Sequence, residues 1–75
     1  MRTPLEIAIN KIKEALDEQK EVWGDKPKDD KLLMSVLLHK AGFIGTAILN
    51  EDEEDLEEAL VHTAAFLLGV IEQRL

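Results

Sequence analysis

The chain has no cysteine, only two histidines, and not one carboxylate between Lys31 and Leu49. Each absence excludes something. Without cysteine there is no disulfide framework and no thiolate cage for a metal. Two histidines alone cannot close a zinc site within one chain, and carboxylates would have to complete it. Basic residues are also scarce: Lys plus Arg number 9 against 16 Asp plus Glu, a formal net charge of −7. That argues against a DNA or RNA backbone as partner, because such affinity comes from Lys and Arg neutralising phosphates. It suits a basic protein or bound cations instead. There is no internal repeat, no low-complexity tract and no convincing strand. The start, MRTPLEIAIN, is charged and amphipathic, unlike a signal peptide. His39 and Lys40 interrupt the longest apolar run before it reaches the ~18 residues of a membrane span. The expectation is one soluble, cytoplasmic domain over residues 1–75 with no membrane partner. A chain this short is marginal alone unless something staples it. With disulfides excluded, self-association is the expected staple.

What is present reads as three helices, an all-α fold, at about residues 4–22, 31–49 and 53–73. Thr3 can cap the first, Pro4 suits its first position, and Glu6 stands where a capping box needs a carboxylate. Leu5, Ile9, Ile12, Leu16, Gln19 and Trp23 follow a 4-3-4-3-4 spacing, an apolar seam broken only by Gln19. Gly24 and Pro27 mark a linker, and Asp29 or Asp30 caps the second helix. Asn50 can end that helix and Asp52 can cap the third, whose acidic first turn complements its dipole. The 51–58 acidic run is most simply a solvated helix start; it lacks the ligand pattern of a calcium loop.

The second helix is apolar almost all the way round. Its exception is a lane of Ser35, His39, Gly42 and Thr46, at i, i+4, i+7 and i+11 on one face. Such a helix must be covered on most sides, so it is expected to be central, with the other two helices as its covering. Gly42 and Gly45 inside it each cost about 1 kcal/mol relative to alanine, which points to close approach of another backbone; the alternative is that strong packing tolerates them. The third helix has a lane of its own: Glu58, His62, Ala65 and Gly69. A short turn joins these helices, so they are expected to form an antiparallel hairpin that brings the two lanes, and His39 with His62, face to face. Two covering helices of one short chain cannot hide the whole second helix. Pairing of chains into a four-helix-type core, as a dimer or a tetramer, is therefore expected.

Several features together carry a family resemblance: Trp23-Gly24 closing the first helix, the Leu37-Leu38-x-x-Ala41-Gly42 frame, Ala47-Ile48 before an acidic turn, and Leu60-Val61-x-x-Ala64-Ala65 before an apolar end. About two-thirds of the chain resembles the MazG-like nucleotide pyrophosphohydrolases. These are all-α oligomers that split nucleoside triphosphates into monophosphate and pyrophosphate. The resemblance implies Mg²⁺ held by an EExxE motif on one helix and an ExxD motif on the next. Hard oxygen ligands are what Mg²⁺ demands, and the ion orients the attacking water and polarises the phosphoryl oxygens. In this sequence the EExxE positions read His39, Lys40 and Phe43, and the ExxD positions read Ala59 and His62. Glu58 is the nearest acid, about 100° away from that lane.

The resulting expectation is a MazG-like oligomer without the family's catalytic carboxylates: a non-catalytic nucleotide- or protein-binding module with no cofactor. Candidate ligand-binding residues are His39, Lys40, Glu58, His62 and Trp23, the last implied by the family, where it packs near the mouth of the nucleotide pocket. Two alternatives stay open. One is an active Mg²⁺-dependent pyrophosphohydrolase using acids of the 51–58 run or of a second chain. The other is a site rebuilt on His39 and His62 for a transition metal, which imidazole suits better than Mg²⁺, or for phosphate with Lys40.

Overall fold

A computed structural model shows three α-helices: α1 (Pro4–Trp23), α2 (Asp30–Leu49) and α3 (Glu53–Arg74). It describes residues 2–75 except 24–28, and of Trp23 only the backbone. The expected Gly24 and Pro27 stop signals, and the placement of the Trp23 side chain, lie outside the described residues. Among the described residues there is no strand, and the chain is all-α.

The helix starts follow from short polar side chains that accept otherwise orphaned amides. Thr3 Oγ1 accepts from the Glu6 amide at 3.2 Å, Asp29 Oδ1 from Leu32 at 2.8 Å, and Asp52 Oδ1 from Asp55 at 3.1 Å. The α2–α3 turn is Asn50, Glu51 and Asp52. The Asn50 amide still donates to the Thr46 carbonyl, and the Asp52 amide donates back to Ala47 at 3.1 Å. Glu51 makes the reversal at φ 54°, a left-handed conformation that glycine or asparagine would adopt more readily.

The order of packing differs from expectation. α3, not α2, is central: it packs against both α1 and α2, while α1 and α2 do not pack on each other among the described residues. Small residues explain why. Ala65 is fully buried, and a Cβ on Gly69 would lie 3.1 Å from Leu16 Cδ1, so α1 can come close along this strip. Ala15, Leu16 and Ala65 form the core cluster, with Ile12 and Val61 packed against it. Gln19, the polar break in the α1 seam, reaches α3 and donates from Nε2 to the His62 carbonyl at 3.0 Å. Lys11 pairs with Glu57 and Lys20 with Glu72 along the same boundary. On the other flank, Lys40 Nζ stands 5.7 Å from the Phe66 ring centroid and Arg74 pairs with Asp30.

The chain covers little of its apolar surface. Among the described residues no large side chain is fully buried, and Leu5, Met34, Leu38, Phe43, Ile48, Leu60 and Ile71 are all exposed. Hydrophobicity made α2 look central, yet only Ala47 of it is buried. α2 is also long and apolar enough to cross a membrane by length and composition, even with His39 and Lys40 in it.

Candidate functional site

Two open clefts flank the first half of α3, and His62 lines both. The larger, about 370 Å³, lies between α2 and α3. From α2, Lys40, Phe43 and Ala47 turn toward it at i, i+3 and i+7, one side of a helix. From α3, Asp55, Glu58 and His62 arrive at i, i+3 and i+7. Three of the sequence candidates, Lys40, Glu58 and His62, are therefore brought together. His39 is not among the lining residues; it is exposed, and its ring meets the edge of Phe43 at a centroid distance of 4.8 Å.

The two lanes therefore do not face one another along their length. Ser35, His39, Gly42 and Thr46 are exposed, and Ser35 and Thr46 turn their hydroxyls back onto the carbonyls of Lys31 and Gly42. Only the Ala65 and Gly69 end of the α3 lane is taken up by α1, through Leu16, while Glu58 and His62 reach the cleft. Among the described residues nothing outside the helix's own backbone lies within 4 Å of where a Cβ on Gly42 or Gly45 would stand, so neither α1 nor α3 approaches them closely.

The second cleft, about 340 Å³, lies between α1 and α3. Glu14 and Glu18 line it from α1, and Glu54, Glu57 and Glu58 from α3. The acids of the 51–58 run thus turn partly toward α1. Lys11 lines the same cleft and neutralises Glu57. Among the described residues no three His, Asp or Glu side chains converge to hold a metal ion, in this cleft or the other. The donor set does not fit the Mg²⁺ that the resemblance implies.

Electrostatics in the larger cleft are mixed. Lys40 supplies the cation, and the Phe66 ring offers it an attraction of about 0.5–1 kcal/mol at such exposure. Asp55 is the perturbed acid. The neighbouring Asp52 carboxylate raises its pKa by repulsion, and a hydrogen bond with Asp52, slight desolvation, and Glu58 and Glu54 push the same way. One ammonium, two carboxylates, an imidazole and the Thr46 and Thr63 hydroxyls can orient a small polar ligand. Phe43 and Thr63 were missed as cleft residues, although the i, i+3, i+7 relation of Phe43 and Ala47 to Lys40 was the signal available; Thr46 is the one member of the α2 lane that lines the cleft.

Comparison with known proteins found no matching family model, no matching curated protein and no matching solved structure.

Proposed function

We propose that this chain is a MazG-like helical oligomer without the family's metal chemistry, acting as a non-catalytic nucleotide- or protein-binding module. The supporting observation is chemical. The positions that the resemblance assigns to Mg²⁺ ligands are His39, Lys40, Phe43, Ala59 and His62, and the cleft beside them holds an ammonium among too few convergent acids. A cation at Lys40 repels Mg²⁺ and attracts phosphate. In this reading α2 and α3 are an antiparallel hairpin. The three-residue turn and the ion pair from Arg74 at the end of α3 to Asp30 at the start of α2 support it. Two hairpins pair into a four-helix-type core, and the exposed apolar surface supports that pairing.

The test is pyrophosphate release from a panel of nucleoside triphosphates with Mg²⁺ or Mn²⁺, followed by nucleotide titration monitored at Lys40 and His62 by NMR. No metal-dependent turnover is expected. Turnover above buffer that survives His62→Ala but is lost on Glu54→Gln with Glu58→Gln would refute the non-catalytic reading and move the activity to the acidic cleft.

A further inference from the structure

Two stripes of apolar side chains are left uncovered, and they share one spacing. On α2 the stripe is Met34, Leu38, Ala41, Gly45 and Ile48, at steps of 4, 3, 4 and 3; all are exposed except Gly45, which is half-buried. On α3 it is Leu60, Ala64, Leu67 and Ile71, at steps of 4, 3 and 4, again exposed except for half-buried Ala64. This is the spacing at which helices pack in bundles. By the turn of the helix, the α2 stripe lies about 120° round from the side that meets α3. It also stands clear of the Ser35, His39 and Thr46 lane. The α3 stripe occupies its third side: α1 holds one flank through Leu16 on Gly69, and α2 the other through Lys40 on Phe66. With α2 and α3 antiparallel, both stripes turn to the same side of the pair, away from α1.

We infer that this joint stripe seats a second copy of the chain, Ala41 and Gly45 marking where the partner's helix comes closest. The inference rests on the pairing proposed above and names its face. Area is the first argument. The chain exposes 6087 Å², whereas a compact monomer of 8.5 kDa exposes about 4,700 Å². The excess is about 1,400 Å² per chain, and burying it twice over falls within the 2,000–5,000 Å² of obligate homodimers. Charge is the second. Neither stripe contains a charged residue, so two copies of net charge −7 meet where neither is charged. Room is the third, because among the described residues nothing outside the helix's own backbone stands within 4 Å of a Cβ placed on Gly45. A two-fold interface needs one self-complementary patch, and a small-residue centre flanked by Leu, Met and Ile supplies it.

The absence of cysteine makes the test clean. Single-cysteine variants Ala41→Cys, on the stripe, and Ser35→Cys, on the lane, are labelled with a maleimide while the solution mass is measured. The expected result is a mass twice that of one chain, slow labelling at position 41, fast labelling at 35, and convergence of the two rates on dilution. Leu38→Lys with Leu67→Lys should give single-copy mass, and Leu5→Lys on α1 should not. A wild-type chain of single-copy mass overturns both this inference and the pairing. A double mass with equal labelling rates overturns this face alone and leaves pairing through another. Should the double-lysine variant lose its helicity, the labelling rates decide. Flotation of the wild-type chain with phosphatidylcholine vesicles as single copies would give the face to a bilayer and overturn the inference.

Discussion

Two glycines in α2 make an internal control for each other. Gly42 and Gly45 are both helical, and neither has a neighbour within 4 Å of its absent Cβ. Within a lone chain, alanine at either position should therefore stabilise alike, by about 1 kcal/mol of helix propensity. For a domain of this size that is a rise in melting temperature of about 4–8 °C. Within the chain Gly42 is exposed and Gly45 half-buried; the difference that matters here is what is proposed to lie outside it. Gly42 belongs to the polar lane and Gly45 to the stripe assigned to the partner. Gly42→Ala should show the full gain. At Gly45 the added methyl enters a packed helix crossing, where overpacking costs about 1–3 kcal/mol, so the gain should vanish or reverse. Urea denaturation of both variants at several protein concentrations measures this, because the midpoint of a dimer moves with concentration. Equal gains at 42 and 45, independent of concentration, would mean that no partner helix packs at Gly45.

Other outcomes follow from the packing. Leu16→Ala removes the largest member of the α1–α3 cluster. It should cost about 2–3 kcal/mol, the low end for leucine, because Leu16 keeps slight exposure; a loss under 1 kcal/mol in chemical denaturation would mean α1 is not docked there. Asp52→Ala removes the acceptor for the Asp55 amide and should cost about 1 kcal/mol, read from the same denaturation midpoints, while Asp52→Asn should restore most of it. Asp55→Asn tests the acidic turn. The pKa of Asp55 is raised, chiefly by Asp52, so its ionised form is disfavoured in the folded chain and the penalty disappears as pH falls below the folded pKa. The variant should melt higher than wild type at pH 7 and level with it near pH 3; equal melting at both would contradict that.

The helices were legible because their boundaries depend on local chemistry. Asp29, Asn50 and Asp52 act as caps within the chain's own nearest turns, and the 4-3 spacing of Ile12, Leu16 and Gln19 survives as the α1 contact with α3. Which helix is central was not legible. Apolar content pointed to α2, but close packing depends on shape, and the small residues Ala65 and Gly69 let Leu16 dock on α3. The same lane had suggested a site facing α2. Periodicity shows that residues share a face without showing which neighbour meets it, and so Lys40, Phe43 and His62 share a cleft while His39 stays outside it, its ring against the edge of Phe43. In the sequence, His39 and Lys40 read as a break in the apolar run, yet α2 is long and apolar enough to cross a membrane by length and composition with both in it.

Sedimentation equilibrium across a wide dilution series is the most direct check on the claim that α2 and α3 bury their stripes against another copy. A mass of twice 8.5 kDa that falls toward one chain only on strong dilution is the predicted result. A constant mass of one chain, with α2 still helical and its stripe open to solvent, would contradict the account.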